Sequence, residues 1–116
     1  MVICLNHVIS KSETLKFLSD VPEGKEFRFC LPNGVNTMVL ASSLDDFGDK
    51  LDGVDSEALL FHYPRGDFQK WIKEVIGDSE LADRLCFIER DISGESLRKA
   101  LLKIVHNRIK QLKAIK

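Results

Sequence analysis

The sequence has few of the features that mark exported, disulfide-stabilised or membrane-spanning proteins. Its three cysteines are odd in number and widely spaced, which does not suit a disulfide framework. The apolar stretch at residues 1–9 lacks a basic flank and a small-residue cleavage site, so we expect neither a signal peptide nor a membrane span. Residues 2–9 fit either a buried strand or the approach to a helix. Cys4, Cys30 and Cys86 have apolar neighbours, and we expect reduced core thiols in a cytoplasmic protein without membrane contacts.

Motifs for common catalytic, phosphate and metal sites are also missing. The seven glycines are dispersed, so no glycine-rich loop is available to hold a phosphate. No serine stands in a Gly-x-Ser-x-Gly setting, and we predict no catalytic residue. The residue types that bind zinc are scattered over Cys4, His7, Cys30, His62, Cys86 and His106. Because only the first two are closely spaced, we predict no metal ion, and nothing indicates a cofactor.

Length and composition instead indicate one ordinary globular domain. Hydrophobic residues make up 44% and charged residues 30% of the 116 residues, as expected for a chain that buries one core. No internal repeat or low-complexity linker divides the chain, so residues 1–116 are predicted to form a single domain. We predict an α+β fold that is mostly helical, with about five helices, one small β-hairpin and a single core.

The clearest helical pattern lies near the middle of the chain. Apolar residues recur there at i, i+3, i+4, i+7 and i+8, which places them on one face of a helix. They are Phe68, Trp71, Ile72, Val75 and Ile76. Asp67 is predicted to cap the first turn, and Gly77 to close the last turn in the left-handed conformation.

Shorter signals define the remaining elements. Ser10 and Glu13 have the spacing of a capping box and start a short first helix. Alternating apolar residues at 27–31 and a β-branched, apolar run at 37–40 flank Asn33-Gly34, a dipeptide preferred in hairpin turns. Further helices are predicted from a cap at Ser42 or Ser43 to Gly53, at 56–62 with Pro64 as the stop, after Asp78 or Ser79, and from Ser93 or Gly94 to about 113.

The C-terminal helix carries a strong excess of positive charge. Residues 94–116 contain seven basic residues and one acidic residue, although the whole chain has a net charge of −1. Such polarity is typical of a nucleic-acid contact, of a contact with an acidic partner, or of internal pairing with an acidic body. The candidate contact residues are Lys99, Lys103, Arg108, Lys110 and Lys113.

A second candidate site lies at the start of the central helix. His62, Arg65, Asp67 and Trp71 fall within ten residues and could line a pocket in which the guanidinium holds an anion and the indole stacks on a ring. In the alternative, the histidine ends a helix, the arginine is solvated, the aspartate caps and the tryptophan is core. Capping explains Asp67 and burial in the apolar stripe explains Trp71 without a ligand, so we favour the structural roles over a pocket.

Several residues of this region occur in the order typical of one family. They are Phe27 and Phe29, the Ser43-Leu44 step into a helix, Phe61-His62, Asp67-Phe68 with Trp71, Gly77-Asp78 and Leu81-Ala82. Over roughly residues 25–88 the chain resembles a family of small archaeal and bacterial domains of unknown function, with the pattern Phe-His, Asp-Phe-x-x-Trp and Gly-Asp-x-x-Leu-Ala. The resemblance supports the fold of this segment and implies no known activity.

These observations favour a protein without enzymatic activity. We expect a protein-interaction or regulatory module that binds a protein partner or a second copy of itself through the long C-terminal helix. The alternative is weak nucleic-acid binding by the same helix, without sequence preference, because no aromatic platform accompanies its lysines.

Overall fold

The structure is a computed structural model that describes residues 9–89 and 91–116. The prediction for residues 2–9 falls, apart from Ile9, outside the described residues, as do Cys4 and His7. The helices are α1 (Lys11–Leu18), α2 (Leu44–Gly53), α3 (Ser56–Arg65), α4 (Asp67–Trp71), α5 (Ser79–Leu85) and α6 (Gly94–Ile115), and the strands are β1 (Phe27–Cys30) and β2 (Asn36–Ala41). The α+β class with one hairpin is confirmed, with six helices instead of about five in the described ranges.

Side-chain caps start α1, α2 and α6 at serines that the sequence indicates. The hydroxyl of Ser10 accepts from Glu13 N at 3.1 Å, and the carboxylate of Glu13 accepts from Ser10 N at 3.2 Å, which completes the capping box of α1. Ser43 and Ser93 cap α2 and α6 by accepting amides of their first turns. These short-range contacts need no tertiary partner, so the chain alone indicates the caps of α2 and α6 to within one residue, and the structure selects Ser43 and Ser93.

An aromatic cluster forms the centre of the core. The Phe27 ring lies 4.9 Å from Phe29 and 5.1 Å from Phe68 between ring centroids, and Phe47 lies 5.4 Å from Phe68. The hairpin, α2 and α4 therefore meet on one set of rings. The apolar stripe of α6 covers the same core from the side of α1, α2, α3 and α5.

The central helix changes its winding halfway along. The α-helical turns of α4 end at Trp71 and are followed by a π-helical turn at Ile72–Ile76. At its end, Gly77 N and Asp78 N both donate to Ile72 O, at 2.8 and 3.1 Å. Gly77 has the predicted left-handed conformation, with φ of +96°. The predicted apolar stripe still faces the core across this wider turn, since Val75 is half-buried and the other four residues are buried.

The predicted end of α3 and the predicted burial of the cysteine thiols are wrong. Helix α3 continues through Pro64 to Arg65 and ends at Gly66, which has φ of +76°. A proline so near the end removes only one helical hydrogen bond, and the left-handed glycine provides the stop. Cys86 is exposed rather than buried, because it follows the last turn of α5 on the outer side, and Cys30 is only half-buried.

The hairpin has an irregular return strand. Gly34, with φ of +83°, donates to Leu31 O at 2.8 Å, so the predicted Asn33-Gly34 turn is confirmed. Phe29 pairs with Val39, whereas the next residue of β1, Cys30, pairs with Asn36, so residues 37–38 bulge out of the ladder. The bulge shortens the regular part of the hairpin.

No helix in the described part of the chain is both long and apolar enough to cross a membrane.

Candidate functional site

The structure brings three of the four predicted ligand residues together at the junction of α3 and α4. His62 Nδ1 lies 2.8 Å from Asp67 Oδ2, and Arg65 Nε donates to the same oxygen at 3.0 Å. The Arg65 guanidinium also lies 4.6 Å above the Phe61 ring. The prediction that Asp67 caps the helix is wrong: Gly66 is the N-cap residue, and the carboxylate turns back onto α3 because only one residue separates the two helices.

The other nitrogen of His62 completes a bridge to the hairpin. Leu31 N donates to Val35 O inside the hairpin, and successive amides of a strand point to opposite sides. The preceding amide, Cys30 N, therefore points to the outer edge of β1, where it donates to His62 Nε2 at 2.8 Å. The imidazole thus satisfies an edge amide that no third strand covers within residues 9–89 and 91–116.

These two contacts determine the tautomer and the protonation state of His62. Because Nε2 accepts from an amide, the single proton of the neutral ring is on Nδ1 and is donated to Asp67. Burial lowers the pKa of His62 below its ordinary value of 6.5, although the Asp67 carboxylate acts in the opposite direction. Both ring nitrogens are occupied, so the pair cannot take a proton from a substrate without breaking a structural bond.

The pKa of Asp67 is also lowered, from an ordinary value of 3.8. Burial alone would raise this pKa, but the hydrogen bonds donated by His62 and Arg65 and the positive charge of Arg65 outweigh it. The carboxylate is therefore ionised in the same range in which the imidazole is neutral. The cluster is a stable bridge between α3, α4 and β1.

Trp71 lies apart from this bridge and belongs to the core. Its side chain is 8% exposed, and Nε1 donates to Lys25 O at 2.8 Å. The indole packs edge-on against Phe27, with 5.7 Å between ring centroids, and contacts Phe47 at 5.3 Å. An open groove of about 310 Å³ passes beside it, lined by Glu26, Phe27, Arg28, Asp67, Lys70, Trp71, Glu74 and Val75. Because only 8% of this side chain is exposed, the indole offers little surface for stacking on a ligand ring.

The residues of the predicted basic surface on α6 divide into two groups. Lys99, Lys103, Lys110 and Lys113 are exposed on one side of the helix, as their spacing of three, four and seven residues requires. Lys113 Nζ lies 3.1 Å from Asp45 Oδ1 on α2. The other three have no ion-pair partner within 4 Å among the described residues, and we call them the lysine row.

Arg108, in contrast, is buried and does not belong to the exposed surface. Its Nε and Nη2 atoms donate to the two oxygens of Asp78 at 2.7 and 2.9 Å, and Nη1 donates to Gln111 Oε1 at 3.0 Å. Asp78 in turn accepts from Leu81 N as the N-cap of α5. The predicted role of Arg108 as a contact residue is therefore wrong for the folded chain, since its side chain is 1% exposed.

The sequence carries a signal for this burial. Leu101, Val105, Arg108 and Leu112 have the 4-3-4 spacing of one helix stripe, and three of the four are apolar. A lone arginine on an apolar stripe requires a buried carboxylate as its partner. What the spacing could not show is which of the eighteen acidic residues that partner would be.

Helix α2 lies beside the lysine row and carries carboxylates on its outer side. Arg98 Nη1 donates to Leu51 O at 2.7 Å near one end of the helix pair, and the Lys113–Asp45 contact joins the other end, so α2 and α6 run antiparallel. Asp49 and Asp52 are exposed on α2 and have no ion-pair partner within 4 Å among the described residues; we call them the aspartate row.

Comparison with protein-family models, with curated proteins and with solved structures finds no match. The resemblance to the small archaeal and bacterial domains therefore stays a prediction. In the described ranges, no group of three or more His, Cys, Asp or Glu residues is arranged to hold a metal ion.

Proposed function

We propose that this chain is a non-catalytic, cytoplasmic protein-interaction or regulatory module that binds its partner through the lysine row of α6. The observation that carries the proposal is the contrast among the basic residues of this helix. Arg98, Arg108 and Lys113 are bound to groups of the same chain, whereas the lysine row is exposed and unpaired in the described part of the structure. Three free cations on one rigid helix face attract a partner with complementary negative charge.

The arrangement of His62 and Asp67 supports a non-catalytic role. A general base needs a free nitrogen within reach of a substrate proton. Here Nε2 accepts from Cys30 N and Nδ1 donates to Asp67 Oδ2. His62 and Asp67, the pair that most resembles a catalytic dyad, therefore hold β1 against α3.

An acidic helix suits the lysine row better than a nucleic acid does. The aspartate row runs along the neighbouring helix, and a duplex, which carries phosphates on all sides, would be repelled by it. A partner helix about 10 Å wide can place its acidic face on the lysine row alone. Weak nucleic-acid binding without sequence preference remains our second candidate function, because the same three cations could neutralise phosphates.

The experiment compares three probes by fluorescence anisotropy at ~0.02 M and ~0.2 M salt. They are a helical peptide with glutamates along one face, a single-stranded oligonucleotide and a duplex. We expect the peptide to bind most tightly at low salt. The variant Lys99→Glu/Lys103→Glu/Lys110→Glu should lose at least about tenfold in peptide affinity, which corresponds to ~1.4 kcal/mol.

A matched control changes the same net charge elsewhere. Lys11→Glu/Lys70→Glu/Lys73→Glu alters three lysines that are exposed on α1, α4 and the π-helical turn, and its peptide affinity should stay within about twofold of the wild type. Tighter binding of the oligonucleotides, with a steep loss at higher salt, would favour the second function. If no probe binds at low salt, both functions are wrong.

A further inference from the structure

We infer that the partner of the lysine row is a second copy of this chain, whose aspartate row it contacts. The inference rests on the proposed function, because it names the partner of the same surface. It follows from the position of two rows of opposite charge side by side on one face of the molecule.

The two rows are held at a fixed spacing by the packing of α2 on α6. Gly48 allows the helices to approach closely: a Cβ atom built there would lie 3.2 Å from the His106 ring and 3.5 Å from Ile109 Cδ1. The contacts of Lys113 with Asp45 and of Arg98 with Leu51 O hold the ends of the pair. The negative row and the positive row therefore belong to one rigid surface.

Such a surface is complementary to itself. A two-fold axis parallel to the helices, lying in the plane between two facing copies, exchanges left and right but keeps the height along the helices. It places the aspartate row of each copy opposite the lysine row of the other. This contact is isologous and closes after two copies, so it produces a dimer and no filament.

The charges around this face agree with that arrangement. His106 is exposed between Lys103 and Lys110 and faces Gly48, which has no side chain to oppose it. The remaining carboxylates of α2 are engaged within the chain, since Asp46 pairs with Lys50 at 2.6 Å and Asp45 pairs with Lys113 at 3.1 Å. Only Asp49 and Asp52 of this helix are then left to meet an incoming lysine.

Exposed ion pairs are individually weak and salt-sensitive, so we expect a dimer that forms at high protein concentration and low salt. Sedimentation equilibrium of the full chain at ~0.02 M salt should show a mass that rises above 13.2 kDa towards twice that value as the protein approaches ~1 mM. The mass should return to that of the monomer at ~0.5 M salt.

Charge reversal of each row provides the decisive test. Lys99→Glu/Lys103→Glu/Lys110→Glu makes both rows acidic, and Asp49→Lys/Asp52→Lys makes both rows basic. Each variant alone should be monomeric under all conditions. An equimolar mixture of the two should dimerise, because the acidic face of one then opposes the basic face of the other.

The control variant Lys11→Glu/Lys70→Glu/Lys73→Glu has the same net charge as the first reversed variant, but its charges lie outside the two rows. Its own two rows are intact, so it should dimerise with itself like the wild type, but its dimers should not take up fluorescently labelled Asp49→Lys/Asp52→Lys. Uptake of the labelled variant as strong as in the mixture of the two reversed variants would overturn the inference, since net charge would explain it. A wild type that stays monomeric at ~1 mM and low salt would also overturn it. If the glutamate-faced peptide still binds that monomer, the proposed function stands and only the identity of the partner is wrong.

Discussion

Arg108 and Asp78 form a two-point ion pair inside the molecule, with both side chains 1% exposed. The pair joins the N-cap of α5 to the second half of α6, thirty residues further along the chain. The planar guanidinium of Arg108 matches the two carboxylate oxygens of Asp78. Leu81 N donates a further hydrogen bond to Asp78, and Gln111 accepts one from Arg108. The orientation of α5 on α6 therefore depends on a charged contact within an apolar interface.

Replacing Arg108 by Met should destabilise the protein strongly. The substitution keeps much of the volume but leaves the buried Asp78 charge without its cationic partner, which costs about 3–5 kcal/mol. Adding Asp78→Ser, which keeps a capping hydroxyl, should recover a large part of that loss. Urea unfolding measures the free energy of unfolding of the wild type, of Arg108→Met and of Arg108→Met/Asp78→Ser. The exposed control Lys103→Met should stay within about 0.5 kcal/mol of the wild type. An equal loss of stability in Arg108→Met and Lys103→Met would contradict the role of the buried pair.

Replacing His62 by Leu should release the outer edge of β1. Cys30 N then loses its acceptor and Asp67 loses one donor, and a buried unsatisfied group costs about 1–3 kcal/mol. Gln has an oxygen near the position of Nε2, so His62→Gln should lose less stability than His62→Leu. Hydrogen exchange of the Cys30 amide is the specific measurement. We expect much faster exchange in His62→Leu and partial protection in His62→Gln; unchanged protection in both would show that the bridge is unimportant.

Stability should fall with acid in two separate pH ranges. The pKa of His62 is lowered on folding, so the unfolded chain takes up the proton first as the pH falls below about 6.5, and the folded state loses stability there. The pKa of Asp67 is also lowered, and its contribution is lost as the pH falls below about 3.8. Above pH 6.5 neither group changes the stability.

Urea midpoints between about pH 7.5 and pH 3 test this, with His62→Gln as the comparison. The variant should lack the decrease that begins near pH 6.5, while its decrease at lower pH remains. NMR of the imidazole nitrogens should show the tautomer with the proton on Nδ1. A wild-type His62 that titrates above 6.5 would contradict the sign.

Two glycines make a matched pair for testing close packing. A Cβ atom at Gly94 would lie 2.9 Å from Ser56 Cβ, so Gly94→Ala forces α3 and α6 apart. Overpacking costs about 1–3 kcal/mol and exceeds the gain of at most ~1 kcal/mol from alanine in a helix. Gly53 has no atom within 4 Å of such a Cβ, and Gly53→Ala should be neutral or stabilising. Thermal unfolding measures the stability of both variants. Equal changes in Gly94→Ala and Gly53→Ala would show that the contact with Ser56 is not the cause.

The local part of this structure could be predicted because its causes lie within a few residues. The capping serines, the Asn33-Gly34 turn, the inward stripe from Phe68 to Ile76 and the extent of α6 all depend on short-range hydrogen bonds or on one helical period. The exposed lysine row follows from the same period. Trp71 was predicted to be core on this basis, and the structure confirms it.

The roles of single polar residues depended on the tertiary structure. His62 is a bridge because an unpaired amide of β1, thirty-two residues earlier, faces it, and Asp67 turns from a cap to a hydrogen-bond acceptor because α3 ends next to it. Arg108 is buried because Asp78 lies within reach across α5 and α6, and Cys86 is exposed because α5 turns it outward. The chain alone determines which residues lie on a common face, because that is a matter of backbone period. Only the fold determines which distant charges and amides meet, because that depends on how those faces pack.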